Sequence, residues 1–270
     1  MSREQFILLS FDVEEFDTPL EYNHFISSQE QLKAGLDGLL TIKEFLIRHQ
    51  IQTTLFTTAN FAVNYPEQIK ELSLTQEIAS HTFYHSTFET KDLKESKIAL
   101  EEITGKPITG IRMPRMKYLK ADDLSDAGYQ YDSSINPIWL PGRYNHLNKS
   151  TTFFSENKIM RIPASVSTFF RIPLFWLSFK NLPYSLYLRL VLHTLKHTGY
   201  VCLYFHPWEF TDLSNYKLPH YIKKPDHEQL LERLDCLIRG LKNEGHFITM
   251  DSFYKRSIMI NKYTGQFHEE

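Results

Sequence analysis

The chain has 270 residues, of which 42% are hydrophobic and 23% charged, and its formal net charge is -2 at pH 7. That length suits a single α/β barrel with a large core, and a near-neutral balance excludes the broad basic face of a nucleic-acid binder. The two cysteines, Cys202 and Cys236, are too few for a secreted disulfide framework; each lies in an apolar segment and is expected to be a buried free thiol.

The opening MSREQFILLSF runs directly into an apolar strand pattern. It has no basic region followed by a long apolar stretch and a small-residue cleavage site, so no signal peptide is expected. No apolar stretch is long enough to span a bilayer, and the expected location is the cytoplasm.

Residues 6–11 (FILLSF) read as a buried strand. Residues 29–49 carry Leu32, Leu36, Leu39, Leu40 and Leu46 at helical spacing, with Ser27 or Ser28 as cap. Residues 53–58 are β-branched and aromatic, hence a strand. Pro66 opens a helix over 66–74, and 77–80 is a short strand. Leu93, Ser96, Leu100 and Ile103 mark a helix stopped by Gly105. Short strands at 109–112 and 129–131 flank a helical stretch at 119–127, and another strand is expected at 159–162. A helix at 182–197 leads into the strand 200–205. An amphipathic helix spans 226–243, with Leu230, Leu231, Leu234, Leu237, Ile238 and Leu241 on one face. Residues 247–250 read as the last strand.

Repeated strand–helix alternation predicts a mainly parallel sheet with right-handed crossovers. The expected fold is α/β: a distorted (β/α) barrel of about seven strands in a single domain over residues 1–270. A doubly wound sheet is the alternative. No glycine-rich turn follows the first strand, so a dinucleotide fold has little support.

Catalytic groups of an α/β barrel gather at the C-terminal ends of its strands. The ends of the expected strands carry, in order, Asp12 and Glu14, then His81 and His85, then Arg112, Asp132 and His206. Five strand ends in succession with such residues are hard to explain as solvation. The imidazoles of His81-Thr-Phe-Tyr-His85, four residues apart, can meet one cation if the backbone turns as in a helix. With one carboxylate they would hold a divalent metal and leave positions for water and substrate. Carboxylates directly after a buried strand are costly to desolvate without a cation or a proton. His206 ends an apolar strand and titrates near neutral pH, as a proton donor to a leaving group should. The chain also holds a control: His193 and His197 share the same spacing, follow no strand end, have no carboxylate nearby in sequence, and read as structural.

Taken together, these segments resemble the polysaccharide deacetylase family, carbohydrate esterase family four, over roughly residues 6–210. That family carries five short motifs in order along a distorted (β/α) barrel. Its Thr-Phe-Asp-Asp motif reads Ser10-Phe11-Asp12-Val13 here, with Val13 where the metal-binding aspartate normally stands. Some relatives use an Asp-x-Glu form, which implies Asp12 as general base and Glu14 as metal ligand; the other assignment has Asp12 itself on the metal. The His-Thr-x-x-His motif matches at His81, Thr82 and His85. Arg-x-Pro matches at Arg112 and Pro114: Arg112 would orient the catalytic aspartate, and the backbone N–H of Arg115 would serve the oxyanion. Tyr131-Asp132-Ser133-Ser134 stands for the fourth motif, whose aspartate, Asp132, would tune the acid histidine. The fifth matches at Leu203 and His206, with Leu203 or Phe205 lining a pocket for the acetyl methyl. The FHPWE ending is similar to a subgroup associated with exopolysaccharide synthesis and implies that Trp208 faces sugar.

The resemblance implies metal-assisted removal of acetyl groups from a carbohydrate, with a divalent metal, zinc first and cobalt, nickel or iron as substitutes. Its rivals are a metal-independent amidase on a small cyclic or linear amide, and a non-catalytic glycan-binding protein on the same fold. One further stretch, from Phe169 to Tyr187 (FFRIPLFWLSFKNLPYSLY), is aromatic and proline-interrupted. It is expected to pack as core or loop, or to form an exposed cover over the site or a peripheral membrane contact.

Overall fold

The computed structural model describes residues 4–264. In chain order its elements are β1 (Phe6–Val13), α1 (Ser28–His49), β2 (Thr54–Thr57), α2 (Ala59–Asn64), α3 (Pro66–Leu72), β3 (Glu77–Ser80) and α4 (Asp92–Thr104). Next come β4 (Gly110–Ile111), α5 (Ala121–Asp126), β5 (Tyr131–Asp132), the β6 (Trp139–Leu140) and β7 (Tyr144–Asn145) hairpin, β8 (Phe154–Glu156) and β9 (Ile159–Arg161). The chain continues through α6 (Trp176–Asn181), α7 (Tyr184–Thr198), β10 (Tyr200–Phe205), α8 (His220–Lys223), α9 (His227–Lys242), β11 (His246–Phe247) and α10 (Met250–Thr264).

The main sheet has the order β10-β1-β2-β3-β4-β5-β9-β8, and β11 pairs with the start of β1. From β10 to β9 every pair is parallel; β8 joins β9 antiparallel. Beyond β9 the chain curls round to β10: Ser165 N–H donates to Cys202 O at 2.9 Å, and Cys202 N–H donates to Ser165 Oγ at 2.8 Å. The curled parallel sheet is thus the distorted barrel expected from the alternation, in one α/β domain.

Strand side chains alternate between two faces, and the two faces have distinct cores. Ile7, Leu9, Phe11 and Val13 point outward with Val201, Leu203 and Phe205, and pack under α1, α7 and α9. Leu8, Phe56, Ala79, Tyr131, Met160 and Cys202 point inward, where Met250 and Phe253 of α10 join them. By the same count Ser10, Asp12 and Glu14 continue the inner row of β1 toward its C-terminal end.

Several helix ends follow the sequence signals. Ser27 Oγ accepts from Glu30 N–H, and Asp226 caps α9 through Gln229 N–H. Gly105 closes α4 in a left-handed conformation. In α1, a Cβ on Gly35 would run into the carbonyl of Glu14, and one on Gly38 into the backbone of Pro207 and Trp208. Both glycines therefore let α1 press against the two loops that carry the site.

Other expectations fail. Residues 247–250 do not form the last strand: pairing ends at Phe247, and Thr249 Oγ1 accepts from Ser252 N–H to start α10. Cys236 is exposed on α9, one position off its apolar stripe, while Cys202 is buried. The pieces α2, α6, the β6–β7 hairpin and β8 are too short to leave a periodic signature. Among the described residues no helix is long and apolar enough to cross a membrane.

Candidate active site and metal centre

The site is built on the period of two in β1. Asp12 and Glu14 share the inner face, whereas Val13 between them is fully buried among outward-facing apolar residues. Position 13 therefore belongs to the helix-packing core, and the carboxylate that completes the inner row is Glu14. Both carboxylates are 3% exposed.

β3 delivers the histidines. His81 N–H donates to Thr57 O at 2.9 Å and continues the β2–β3 ladder by one residue. The chain then turns through Thr82 at φ 61°, a left-handed conformation that a β-branched residue rarely adopts. The first N–H groups of α2 hold that turn: Ala59 N–H donates to Thr82 O at 3.0 Å and Asn60 N–H to Phe83 O at 2.9 Å. The turn is not helical, yet it stacks the imidazoles of His81 and His85, ring centroids 5.7 Å apart.

Glu14 Oε2 lies 3.1 Å from His81 Nε2 and 3.1 Å from His85 Nε2, so the three ligand atoms fall within 4.8 Å of one another. The far side of each ring is occupied. His81 Nδ1 donates to Arg112 O at 2.8 Å, and His85 Nδ1 lies 2.8 Å from Asp17 Oδ2. The hydrogen bond on Nδ1 leaves Nε2 as the free ligand atom of a neutral His81, and the Asp17 carboxylate beside His85 Nδ1 favours the same tautomer there. Two imidazole nitrogens and a carboxylate oxygen at one point are the donor set of an open divalent-metal site. Trp208 Nε1–H donates to the other oxygen, Glu14 Oε1, at 3.1 Å.

Charge follows from this packing. Burial pushes the Glu14 carboxyl up, but His85, His206 and His81 together outweigh it and hold it well below the usual carboxylate range. Burial pushes His85 down, but Glu14 and Asp17 prevail and raise it to about 9. Without a cation the site therefore retains a proton that a metal must displace.

Asp12 has a different partner. Arg112, wholly buried, donates from Nη1 to Asp12 Oδ1 at 2.6 Å and to Ser10 Oγ at 2.9 Å. Its other nitrogens donate to Ser133 O and Oγ, and its guanidinium sits over the rings of Phe56 and Tyr204 at 4.2 and 4.9 Å. A fork satisfied on all sides fixes Asp12 against rotation.

His206 continues the inner row of β10. Its Nε2 stands 4.0 Å from Asp12 Oδ2 and 4.0 Å from Glu14 Oε1. Its ring stacks on Trp208 at 5.0 Å and meets the edge of Trp176 at 5.2 Å. Burial pushes His206 down, while Glu14, Glu209 and Asp12 outweigh it and raise it above its ordinary value.

Four expected residues take other roles. Asp132 does not reach His206. Tyr131 and Ser133 face inward, so Asp132 faces outward, where it pairs with Arg161 at 2.7 Å and accepts from Ser134 Oγ. Leu203 and Phe205 likewise point outward into the helix-packed core, and the inward residue between them is Tyr204. Neither can line a pocket in the barrel mouth. Trp208 is 1% exposed and committed to Glu14, so it cannot face a sugar; half-buried Trp176 is the tryptophan at the mouth. Arg115, at φ 54°, splits its side chain between Asp17 at 3.1 Å and Glu21 at 2.8 Å. His193 and His197 lie exposed on α7, outside the metal-ligand group.

Sequence reading missed Asp17, Glu209, Tyr204 and Trp176. Counting by twos along β10 would have found Tyr204. Asp17 and Glu209 stand three residues after Glu14 and His206, close enough to fold back on the same site. The stretch from Phe169 to Tyr187 divides: Phe175, Phe179 and Tyr187 are buried, Trp176 borders His206, and Phe169 and Phe170 are 80% and 84% exposed.

Residues 41–131, from within α1 to β5, match the family model for polysaccharide deacetylase. The matched third of the chain contains His81, His85 and Arg112, but not Asp12, Glu14 or His206. No curated protein matches the chain. A crystal structure of a polysaccharide deacetylase candidate from Mycobacterium smegmatis is similar at TM-score 0.64 and 15% identity, over 95% of this chain and 91% of that one. Puue allantoinase is similar at TM-score 0.58 and 17% identity, covering 93% and 89%. A probable polysaccharide deacetylase from Pseudomonas aeruginosa PAO1 is similar at TM-score 0.56 and 16% identity, also covering 93% and 89%. At these identities the structures speak to the fold.

Proposed function

We propose that this chain, a polysaccharide-deacetylase-like hydrolase, removes acetyl groups from a carbohydrate, as acetamide or acetyl ester, by metal-assisted attack of water. The observation that carries this reading is the convergence of Glu14, His81 and His85 within 4.8 Å, beside Asp12 and His206. The donor set fits zinc first, with cobalt, nickel and iron sharing its ligand chemistry. A cation bound there supplies Lewis acidity, which polarises a carbonyl and lowers the pKa of a water.

The chain's own groups do the rest. Arg112 holds Asp12 Oδ1, which leaves Oδ2 to take the proton of the attacking water. By the family resemblance, the backbone N–H of Arg115 would donate to the developing oxyanion. His206 presents Nε2 across the same space and protonates the leaving nitrogen or oxygen. The hydroxyl of water joins the acetyl carbon, the C–N or C–O bond breaks, and acetate departs. Trp176 takes the sugar-facing role at the mouth. The similarity of FHPWE to the exopolysaccharide-associated subgroup makes a polymer the first substrate to try. Exposed Phe169 and Phe170 extend the reading to a lipid-bound glycan at a membrane surface, which liposome flotation tests.

The test combines metal content with acetate release from acetylated chitooligosaccharides and acetylated xylan. Near-stoichiometric metal and acetate release, both lost in His81→Ala, are expected. Full acetate release by His81→Ala sinks the reading. A second reading, metal-independent amide hydrolysis, draws on the fold shared with Puue allantoinase. Amide hydrolysis that survives chelation and metal-free preparation selects it.

A further inference from the structure

We propose that Glu209 is the residue that positions His206 for proton transfer, and that the buried ammonium of Lys180 holds Glu209 in place. This rests on reading His206 as the acid of the site. Glu209 Oε1 accepts the backbone N–H of His206 at 2.7 Å and lies 3.0 Å from His206 Nδ1. One oxygen thus ties the ring to its own backbone, three residues back along the turn. Trp208 covers one side of the ring and Trp176 abuts it edge-on. With Nδ1 pinned and the ring packed between indoles, Nε2 is left aimed at Asp12 and Glu14, 4.0 Å from each.

The second oxygen explains Lys180. Glu209 Oε2 stands 3.5 Å from Lys180 Nζ, and both side chains are 0% exposed. Among the described residues neither atom has a hydrogen-bond partner. A buried ammonium and a buried carboxylate oxygen, each with nothing else to face, are tolerable only as a pair. Lys180 lies on α6, inside the aromatic stretch that also brings Trp176 to His206. That stretch therefore acts on the histidine twice, by packing on its ring and by anchoring its carboxylate. Asp132 has no part in this arrangement, because its strand turns it to the outer face and to Arg161.

The experiment uses the full-length, zinc-loaded protein. Its kcat and KM are measured for acetate release from acetylated chitooligosaccharides and acetylated xylan, and 15N-labelled histidine reports on the His206 ring. Variants are Glu209→Gln, which keeps shape and removes charge, and Lys180→Met/Glu209→Gln, which also removes the stranded ammonium in case the single change unfolds the protein. Expected is a wild-type His206 with its proton on Nδ1 in a strong hydrogen bond, and loss of that signature in the folded variant. Expected with it is a fall in kcat of roughly 10²-fold at little-changed KM, with zinc content and melting temperature of the double variant near wild type. An unchanged Nδ1 signature or an unchanged kcat in a folded Glu209 variant overturns the proposal. If the wild type releases no acetate from either probe, the deacetylase reading fails, and the Nδ1 signature alone decides whether Glu209 positions the ring.

Discussion

His81 and His85 stand four residues apart, and so do His193 and His197; in each pair the rings stack, at centroid distances of 5.7 and 6.3 Å. Spacing and ring geometry therefore do not distinguish a ligand pair from a surface pair. What differs is the surroundings. The first pair follows a strand end, turns through a strained threonine, and meets a buried carboxylate between its Nε2 atoms and acceptors behind its Nδ1 atoms. The second lies on the exposed face of α7; there His193 Nδ1 meets the Thr168 hydroxyl, at 3.1 Å. Two histidines become a metal site when the fold supplies a third ligand and fixes the outer nitrogens.

The comparison breaks most visibly at the ligands. His81→Ala and Glu14→Gln should each abolish stoichiometric metal binding, read by elemental analysis after equilibration with zinc, and should reduce acetate release to background. Stoichiometric zinc in either variant would move the site elsewhere.

A pH effect of smaller size should separate apo from metal-loaded protein. His85 is raised from 6.5 to about 9 in the fold, so its protonated form stabilises the apo protein. That contribution is fully present below pH 6.5 and is lost as pH rises through about 9. A shift of this size corresponds to on the order of 3 kcal/mol. The apo melting temperature should fall across that window and the zinc-loaded one should not, because the metal replaces the proton. Zinc affinity should rise with pH over the same range. Parallel melting profiles would contradict this.

The acceptors behind the rings set the next level. Asp17→Asn keeps the shape beside His85 Nδ1 and removes the charge; it should weaken zinc binding by roughly 10–100-fold, measured by competition with a chelator. The smallest effect sharpens the contrast from the other side. His193→Ala and His197→Ala should leave zinc content unchanged and stability within about 0.5 kcal/mol, by denaturant titration. Loss of metal in either variant would erase the distinction between the pairs.

The period of two along the strands accounts for both the successes and the errors of sequence reading. Counted from Leu8, it puts Asp12 and Glu14 on the inner face and makes Val13 a packing residue. Counted from Cys202, it reaches Tyr204 and His206 and turns Leu203 and Phe205 outward. Counted from Tyr131, it turns Asp132 outward, and the bond to Arg161 confirms that direction. The alignment of motifs marks which segments matter. Within a strand, alternation decides which of two neighbouring residues can reach the site, and at Asp132 and Leu203 the two criteria disagree.

The sequence by itself determined the parallel α/β barrel, a cap for α1 at Ser27 or Ser28, and the row of ionisable residues at the strand ends. These depend on periodicity and on hydrogen bonds within a few residues, which a local stretch encodes. Only the tertiary structure decided that Trp208 serves Glu14, that Asp17 stands behind His85, and that Lys180 and Glu209 form the buried pair behind His206. Such contacts join segments as far apart as Glu14 and Trp208. They exist only once the barrel has closed and desolvation has left each buried charge to find a partner.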